Sequence, residues 1–571
     1  MKTITRTIIF LLLANVAVAQ DYFETNTFGA SSIDILINSA VDSNGNIYSA
    51  GLYSGTLTVG SESTTWQGGN ADAFLSFHNE NGTPTGIQGF GGQLDDAAID
   101  VAVDANDNIF ITGYFQGAGP NAFDADPGPN EFLLEQLSPI ASRDCFIIKL
   151  DSNRDFVNAW QISNPSGAGA NEDSHTIEVD SDGNIYVAGS FAFADFDPDP
   201  SDEETILSVD GGSTTDGFLV KLDNNGDFIW VKTYDGANGH VRVDDMQFDA
   251  DGNLVLVGSF ENEVDLDTDG TNTDIFSTNG DDDIFITKVD TGGNYIWGAA
   301  FGGAGLDIAE TVSILSSGIY LGGMFSGTVD FDPGASTNEV TSNGDWDAFY
   351  SVFDTNGNFQ SAYITGGEGN ENLEAIYSIV EDADGQIYAA GEFIGTSDFD
   401  LGSGTEETTS NGNVDLFYVI NNTAGEYVNH WTVGGSQAET NPQIRFNTNG
   451  DIITNGSYRS SDMDFNPFSG VDTQGNNGFF DVFFSRYALE TLGVNENELN
   501  EVVVYPNPFV NEISIANSEL IESYQVYSVT GKLLQEGIYN KSINLSSISK
   551  GVYLLTLKGN RQTTTKRIVK H

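Results

Sequence analysis

An Asp, any residue and a Phe open a strand-like run seven times along this 571-residue chain. The Asp residues at these positions are Asp72, Asp144, Asp216, Asp283, Asp347, Asp415 and Asp481. Successive members are separated by 72, 72, 67, 64, 68 and 66 residues. A nearly fixed period of this size indicates one supersecondary unit copied along the chain, so the number of copies determines the architecture.

Each copy contains four strand-like runs, rich in β-branched and aromatic residues and bounded by Asn, Asp and Gly. The first two are joined by a turn such as DSDGN from Asp180, which favours a hairpin. The third is the D-x-F run, and the fourth ends in Gly, as in YIWGAAFGG from Tyr295. Four antiparallel strands in seven copies predict an all-β fold, a seven-bladed β-propeller with four-stranded blades.

The two ends of the array predict a closed ring. The last copy stops at DVFFSRYAL from Asp481 without a fourth run, whereas residues 23–30 before the first copy read FETNTFGA, like the end of a fourth run. We therefore expect the N-terminal strand to complete the last blade and to remove the open sheet edges. A stacked linear solenoid is the alternative, although a solenoid would need atypical capping repeats.

The repeat has a counterpart among known families. It combines turns such as DSDGNIYVAG, loops such as DFDPG, the D-x-F runs and the Gly-Gly endings over about residues 25–490. This combination resembles the bacterial β-propeller repeat family called SBBP. The resemblance implies a propeller over residues 20–490 and no particular activity, because a fold does not determine a function.

The charge of the chain is strongly acidic, with 84 Asp and Glu against 20 Lys and Arg. Residues 21–499 hold 79 acidic and 10 basic residues, a net charge of −69. A surface of this sign repels phosphate backbones, which excludes nucleic acid as a partner. It also supplies oxygen ligands for hard cations such as calcium, with a solvated acidic coat as the alternative.

Acidic loops follow the second run of most copies, as in VDFDPG from Val329. Alternating Asp residues on an extended segment place two carboxylates on one face. With a backbone carbonyl and the Asp of the D-x-F run, they could form an oxygen cage for Ca²⁺. The candidate ligands are Asp124, Asp126, Asp195, Asp197, Asp265, Asp267, Asp330, Asp332, Asp398 and Asp400. The alternative is that these side chains accept backbone N–H bonds and cap the loops.

Signatures of catalysis are missing from the sequence. The five His residues share no metal-binding spacing. His175 and His430 lie in or beside strand runs and are interpreted as packed or exposed side chains without a role in catalysis. The single cysteine, Cys145, excludes an intramolecular disulfide and thiolate metal sites. There is no G-x-S-x-G elbow, P-loop or Rossmann glycine pattern. We therefore assign no catalytic residue, and the chain is predicted not to be an enzyme.

The N-terminus has the three parts of a secretory signal peptide. A positively charged start is followed by an apolar core at residues 8–18 and a small-residue cleavage site, which predicts cleavage between Ala19 and Gln20. The signal peptide thus covers residues 1–19. Its apolar run is too short to span a bilayer, and no other segment approaches that length, so no transmembrane segment is expected in the mature chain.

The composition changes after a polar linker at residues 491–501. Residues 500–571 hold eight basic and five acidic residues, and their short alternating runs predict a small β-sandwich over residues 502–571. This segment closely resembles the type A C-terminal sorting domain of the type IX secretion system of Bacteroidetes. The residues that carry the resemblance are Tyr505, Pro506, Asn507, Pro508, Gly531, Lys532, Gly551, Tyr553 and Lys566.

The resemblance implies an export route. The signal peptide takes the chain to the periplasm, and the type IX secretion machinery, its expected partner, takes it across the outer membrane. The sorting domain is then removed, and the protein is secreted or attached to the cell surface. An ordinary terminal sandwich used for adhesion is the alternative.

These features favour a monomeric, secreted or surface-attached propeller that binds a glycan or another protein without catalysis. One alternative is a carbohydrate-active enzyme with a carboxylate pair at the propeller face. Residues 118–142 depart from the repeat and would supply Glu131 and Glu135 for it. The other alternative is a calcium-stiffened structural protein of the cell surface.

Overall fold

The structure is a computed structural model that describes residues 19–137, 142–165, 171–199, 204–208, 214–236, 238–268, 273–367, 374–400, 404–468, 470–490, 503–516, 521–528, 532–559 and 563–571. Residues 1–18 of the signal peptide, the linker and Gly531 lie outside this set. The chain forms two compact units, one over Gln20–Leu489 and one that contains Glu490–His571. Apart from a three-residue 3-10 helix, Gly119–Asn121, the regular elements of the described residues are β-strands. No helix among these residues has the length and apolar character needed to cross a membrane.

The larger unit consists of seven four-stranded antiparallel sheets, the blades. The first strand of each blade packs against the first strands of its neighbours and is the inner strand. From the inner strand outwards, the strands are Asp34–Val41, Ile47–Tyr53, Asp72–His78 and Pro84–Phe90 in blade 1; Ala97–Val103, Ile109–Phe115, Asp144–Leu150 and Phe156–Ile162 in blade 2; Glu172–Val179, Ile185–Phe191, Asp216–Leu222 and Phe228–Tyr234 in blade 3; Val241–Phe248, Leu254–Phe260, Asp283–Val289 and Tyr295–Phe301 in blade 4; Ile308–Leu315, Gly318–Phe325, Asp347–Phe353 and Phe359–Thr365 in blade 5; Ala375–Glu381, Ile387–Phe393, Asp415–Asn421 and Tyr427–Val433 in blade 6; and Glu439–Phe446, Ile452–Tyr458, Asp481–Glu490 and Ala19–Phe28 in blade 7.

The D-x-F run forms the third strand of every blade, and in blades 1 to 6 this strand is buried along its whole length. Neighbouring blades cover both of its faces, so its residues are almost continuously apolar instead of alternating. The Phe of the motif is fully buried in each blade, as Phe74, Phe146, Phe218, Phe285, Phe349, Phe417 and Phe483. The period of the sequence is therefore the period of the blades, and the predicted seven-bladed architecture is confirmed.

The N-terminal strand Ala19–Phe28 is the outer strand of blade 7, where it pairs with Asp481–Glu490. The predicted cleavage site, Ala19 and Gln20, opens this strand. Farther along, the N–H of Asp34 donates to the carbonyl of Phe480 at 3.1 Å and joins blade 1 to blade 7. The predicted ring closure is confirmed, and the linear solenoid is wrong.

A short side hairpin projects between the second and third strands of blades 1 to 6 and explains why the repeat is longer than a compact blade. Its two strands are Thr56–Val59 and Glu62–Thr65, Phe123–Asp124 and Leu133–Leu134, Phe193–Asp195 and Thr205–Leu207, Glu263–Asp265 and Ile275–Ser277, Thr328–Asp330 and Glu339–Thr341, and Thr396–Asp398 and Glu407–Thr409. In blade 7, a single bridge between Asp464 and Thr473 takes the corresponding place.

Neighbouring blades meet at a buried pair of carboxyl groups, which we call the junction pair. One member is the Asp that opens the D-x-F run. The other begins or directly precedes the inner strand of the next blade. In five of the six pairs its N–H donates to the carbonyl that precedes the first member, as from Asp96 to Ala71 at 2.9 Å. The junction pairs are Asp72–Asp96, Asp144–Glu172, Asp283–Asp307, Asp347–Glu374, Asp415–Glu439 and Asp481–Asp34, and each side chain is at most 1% exposed. Between blades 3 and 4, Val241 stands in place of the second acid and makes the same backbone bond to Thr215 at 2.8 Å.

The smaller unit contains two antiparallel sheets. In spatial order, one has strands Val503–Tyr505, Glu512–Ala516 and Ser542–Asn544, and the other has Leu533–Ile538, Ile521–Ser528, Gly551–Gly559 and Thr563–Lys570. Apolar side chains of both sheets, including Ile513, Val526 and Leu555, form one core. The two sheets therefore enclose a core of their own, as a small sandwich requires.

Candidate ligand-binding channel

The seven inner strands surround a central channel, which contains a cavity of about 560 Å³. Every inner strand contributes residues to the wall of this cavity. Sites for small ligands in proteins have volumes in this range, and propellers commonly bind ligands near their axis. The channel is therefore the candidate functional site.

Every inner strand has a β-bulge at the same level of the channel. In blade 1, Leu36 pairs with Gly51 and Asn38 pairs with Ala50, so that Ile37 has no partner in the ladder. A bulge bends its strand and redirects a side chain. The bulged residues that line the cavity, here called the bulge ring, are Ile37, Ile99, His175, Asp244, Glu310, Tyr377 and Asn441.

A glycine in the second strand permits each bulge. In blade 4, a Cβ on Gly258 would lie 1.9 Å from the carbonyl oxygen of Arg242, and in blade 2 a Cβ on Gly113 would lie 2.0 Å from that of Ala97. The bulged inner strand approaches so closely that no side chain fits between the strands. The Gly that ends the second run of each copy is therefore a sequence signal for the bulge.

The bulge ring is apolar in blades 1 and 2 and polar in blades 3 to 7. Blades 1 and 2 contribute Ile37 and Ile99 to the bulge ring, with Ala40 and Val41 nearby. The polar side, from blades 3 to 7, presents His175, Arg242, Asp244, Glu310, Tyr377, Asn441 and Arg445. The blades share one fold but differ in the chemistry that they present at the axis.

The charged residues of blades 3 to 5 form one cluster. The Nε atom of Arg242 lies 2.5 Å from Oδ1 of Asp244, and Nδ1 of His175 lies 3.8 Å from the same oxygen. Burial raises the pKa of Asp244 to about 8; Glu310 adds to the rise and Arg242 opposes it. Burial, with Arg242 nearby, lowers the pKa of His175 to about 4. His175 is therefore neutral at pH 7, and one guanidinium faces two carboxyl groups.

Two other carboxyl groups of the inner strands already accept hydrogen bonds from within the protein. Asp245 accepts the N–H of Val312 at 2.8 Å and the hydroxyl of Thr311 at 3.1 Å. Asp100 accepts the N–H of Ile177 at 2.8 Å. These bonds join neighbouring inner strands and so hold the blades together. The carboxyl groups left for a ligand are those of the bulge ring.

Arg445 adds a second cation from blade 7. Its Nη2 donates to the hydroxyl of Ser39 in blade 1. Its Nε and Nη1 are buried and have no hydrogen-bond partner within the described part of the chain. Burial lowers the pKa of the guanidinium to about 10, so Arg445 keeps its charge at pH 7. The channel wall can therefore donate hydrogen bonds to an anionic or carbonyl group of a ligand, and it can also accept hydrogen bonds from a cationic group.

The predicted calcium ligands lie at the side hairpins, and none of them lines the channel cavity. Within a loop, Oδ1 of Asp330 accepts the N–H of Asp332 at 3.2 Å and that of Asn338 at 2.7 Å, and Oδ1 of Asp332 accepts the N–H of Gly334 at 2.8 Å. Equivalent bonds form at Asp124, Asp126, Asp195, Asp197, Asp265 and Asp398. Asp267 and Asp400 take the place of Asp332 in the loops of blades 4 and 6. No group of three or more His, Cys, Asp or Glu in the described ranges is arranged to hold a metal ion. Loop capping thus has a defined geometry, and calcium binding stays a prediction.

Two substitutions at Asp330 separate capping from ion binding. We expect Asp330→Asn to change the free energy of unfolding by less than about 0.5 kcal/mol, because the amide oxygen still accepts both N–H bonds, and Asp330→Ala to lower it by about 1–2 kcal/mol. Urea unfolding in calcium and in EDTA measures both effects. Equal losses for the two variants, matched by a loss in EDTA for the unchanged protein, would assign calcium to these loops.

Residues 118–137 of the segment that departs from the repeat form the side hairpin of blade 2, with Phe123–Asp124 paired to Leu133–Leu134. Glu131 and Glu135 are exposed there, and neither lines the channel cavity. This segment therefore differs from the other copies in the length of its side-hairpin loop. The carboxyl groups that share a cavity belong to the bulge ring instead.

The residues of the sorting motif have structural roles in the smaller unit. Asn507 donates through Nδ2 to the carbonyl of Arg567 at 2.8 Å and accepts the N–H of Val569 at 2.9 Å. The hydroxyl of Tyr553 donates to the carbonyl of Ser549 at 2.7 Å. The other described members, in or beside strands, are Tyr505, Pro506, Pro508, Lys532, Gly551 and Lys566. Asn507 thus fastens the Tyr-Pro-Asn-Pro segment to the last strand.

Comparison with known proteins gives a family match for the C-terminal residues and a relative that matches part of the chain. Residues 503–571 match the family described as the secretion system C-terminal sorting domain. Over 162 residues, the chain is 28% identical to an uncharacterized WD repeat-containing protein, L264, of Acanthamoeba polyphaga mimivirus. That match covers 28% of this chain and spans 11% of the length of the viral protein.

Two solved structures are similar to this chain at low scores. A protein of unknown function from Dyadobacter fermentans is 9% identical and has a TM-score of 0.33, with 82% of this chain and 99% of that chain covered. The extracellular domain of BT4673 from B. thetaiotaomicron is 10% identical and has a TM-score of 0.18, with 96% and 100% covered. TM-scores this low carry no argument, and the conclusion rests on the match of residues 503–571 to the sorting-domain family. The C-terminal unit is a sorting domain of the type IX secretion system, and the protein is exported across the outer membrane to the cell surface or the medium.

Proposed function

We propose that the propeller is an SBBP-type binding or adhesion module, which takes its ligand in the central channel and has no catalysis of its own. The observation that carries this proposal is the bulge ring. The seven blades agree at the D-x-F strands and in their bulges, yet the bulged residues vary from Ile to His, Asp, Glu, Tyr and Asn. A wall that is apolar on one side and charged on the other suits an asymmetric ligand.

The size of the cavity limits what can enter it. About 560 Å³ accommodates a small molecule, a terminal sugar or one projecting side chain of a larger partner. A glycan or a protein could therefore present one group to the channel while the loop faces contact the rest. Export to the cell surface places the channel where such ligands occur.

Filling the channel should abolish binding there. We expect Ile99→Trp to weaken the channel ligand at least about tenfold while the melting temperature of the free protein stays within about 2 °C. The test screens the mature protein against sugars, amino acids, alkylamines and alkanoates for ligands that raise the melting temperature, followed by calorimetry. Val157→Trp is the matched control, since Val157 is 51% exposed on the outer strand of the same blade. Ligands that bind Ile99→Trp as well as the unchanged protein would contradict a channel site.

A carbohydrate-active enzyme is the second candidate, favoured by one observation. Asp244 and Glu310 share the cavity, and burial raises the pKa of both carboxyl groups. A protonated and an ionised carboxyl group side by side are the pair that glycoside hydrolysis uses. Turnover of aryl glycosides by the mature protein, lost in Glu310→Gln, would support the enzyme. The calcium-stiffened structural role depends on the side-hairpin loops and on the Asp330 test.

A further inference from the structure

We infer that the ligand presents an organic ammonium group, such as a primary amine on an apolar chain, to the carboxyl groups of Asp244 and Glu310. This inference rests on the proposed function, because it requires the channel to be the binding site. It adds the chemical class of the ligand and the two residues that recognise it. Neither residue belongs to a motif of the repeat.

The side chain of Asp244 lacks a partner for one oxygen. It is 9% exposed, its Oδ1 faces Arg242, and its Oδ2 is buried without a hydrogen-bond partner among the described residues. An unsatisfied oxygen of this kind costs stability unless a ligand or a proton occupies it. Asp244 lines the cavity wall, so a rotation of its carboxyl group would bring this oxygen to a ligand donor in the channel.

Once Asp244 has lost its proton, the charge balance at this point favours a cation. Arg242 can neutralise one carboxylate, and His175 is neutral at pH 7 because its pKa is about 4. The other guanidinium of the cavity wall, Arg445, lies on the inner strand of blade 7 and is bonded to Ser39 of blade 1. Glu310 lies on the next inner strand, which packs against the strand of Asp244, and both residues line the same cavity. When both are ionised, the group carries one net negative charge inside a body of net charge −69. That field attracts small cations to the channel.

An organic ammonium fits the donors and acceptors better than a metal ion does. The described residues contain no group of three or more His, Cys, Asp or Glu placed to hold a metal. An alkylammonium has three N–H donors on one nitrogen and needs no cage. Tyr377, the next member of the bulge ring, also lines the cavity, and aromatic rings attract ammonium groups.

The rest of the wall suits the chain that carries the amine. Ile37 and Ile99 belong to blades 1 and 2, whereas Asp244 and Glu310 belong to blades 4 and 5. In a ring of seven blades these two sets lie across the channel from each other. A short alkyl chain whose ammonium contacts the acids can therefore bury its methylene groups against the isoleucines, at about 0.8 kcal/mol per methylene.

Calorimetry on the full mature chain tests this inference with three probes of equal length: hexylammonium, hexanoate and hexanol. We expect hexylammonium to bind, and hexanoate and hexanol to bind at least tenfold more weakly. Asp244→Asn and Glu310→Gln should each weaken hexylammonium at least tenfold. Glu131→Gln removes one exposed carboxylate on a side hairpin and should leave its affinity unchanged.

The pH dependence is a second readout that does not need the variants to fold. The groups that face Asp244 are Arg242 and Asp245 on its own strand, His175 from blade 3 and Glu310 from blade 5. Because a proton on Asp244 must leave before the ammonium binds, we expect the affinity for hexylammonium to rise at least threefold from pH 6.5 to pH 9, with Arg242 charged and His175 neutral throughout.

The outcomes separate this inference from the proposed function. Preferential binding of hexanoate, lost in Ile99→Trp, would overturn the ammonium inference and leave the channel as the binding site. Binding of hexylammonium that Ile99→Trp does not reduce would place it outside the channel and overturn the inference. No binding of hexylammonium would also overturn it, while the wider ligand screen decides the proposed function.

Discussion

Replacing Phe28 by Ala is expected to lower the free energy of unfolding of the propeller by about 3–5 kcal/mol, the usual cost of deleting a buried aromatic side chain. Phe28 ends the N-terminal strand and is 5% exposed. Its ring lies 6.4 Å from that of Phe484 in blade 7 and 6.3 Å from that of Phe74 in blade 1. The side chain thus packs against both the first and the last blade, so its loss weakens the closure of the ring.

Urea unfolding of the mature protein, followed by tryptophan fluorescence, measures this loss. For a unit of about 470 residues, the entropy of unfolding is about 1 kcal/mol per kelvin, so the expected fall in melting temperature is about 3–5 °C. Phe23→Ala is the matched control. Phe23 lies on the same strand but is 50% exposed, with Arg486 over its ring at 4.5 Å, so its loss should stay below about 1 kcal/mol. Equal losses at the two positions would contradict closure through Phe28.

The blade number and the closure could be predicted because the features that encode them are local and repeated. Asp180 illustrates this: its Oδ1 accepts the N–H of Asp182 at 3.0 Å and of Asn184 at 2.9 Å. Five successive residues, DSDGN, thus contain the donors and the acceptor that determine the turn. The D-x-F run is equally local, since one strand carries both its buried Asp and its buried Phe.

The channel could not be predicted in the same way. Asp244 and Asp245 are adjacent in the sequence, and the bulge alone determines that the first joins the bulge ring while the second accepts the N–H of Val312. Members of the bulge ring come from seven strands and have no common residue type. The sequence explains His175 by packing; the structure places it in the cavity wall, with its Nδ1 bonded to the carbonyl of Val243 at 2.8 Å.

The acidic loops mark another limit. Two Asp residues on one face predict calcium and capping equally well, because both uses need the same carboxylate spacing. The identity of the N–H donors, such as Asn338 for Asp330, depends on the return strand of the side hairpin. The sequence does not reveal that strand until the hairpin register is known.

Raising the pH from 5 to 8 is expected to lower the melting temperature of the propeller by about 8 °C, because the junction pairs hold protons in the folded state. Burial raises the pKa of Asp72 and of Asp34 to about 7 and that of Asp283 to about 6. It raises the pKa of Glu172 to about 9, with Asp144 adding to the rise. In the unfolded chain, such groups release their protons near pH 4.

The sign follows from proton linkage. Between about pH 4 and pH 7 the folded state holds more protons than the unfolded state, so stability falls as the pH rises. The contribution is fully present below the unfolded pKa and is lost as the pH passes through the folded values. Above pH 5, a group with a folded pKa of about 6 loses about 1.4 kcal/mol, the value of one pH unit, and six junctions at this lowest value give about 8 kcal/mol. Thermal unfolding in buffers of constant ionic strength from pH 5 to pH 8 measures the effect.

Three junctions allow the decisive test, because both members there have a buried oxygen without a described partner. In one of them, Oδ2 of Asp34 accepts the N–H of Ala30 at 2.5 Å, while Oδ1 of Asp34 and Oδ1 of Asp481 have none. One proton shared between the two carboxyl groups would satisfy both oxygens. An amide in place of one acid supplies that hydrogen at every pH. The variant that does this at all three junctions is Asp34→Asn, Glu172→Gln and Glu374→Gln.

This triple variant should be more stable than the unchanged protein at pH 8, and its melting temperature should vary with pH about half as much, because three of six junctions no longer titrate. The matched control removes three exposed carboxylates from the turns between first and second strands, through Asp182→Asn, Asp251→Asn and Asp384→Asn. The control should keep the full pH dependence of the unchanged protein. A triple junction variant that loses equal stability at pH 5 and at pH 8 would show that the pairs are ionised in the folded state. In that case the amide would replace a carboxylate at both pH values, and the folded protein would hold no proton at these junctions.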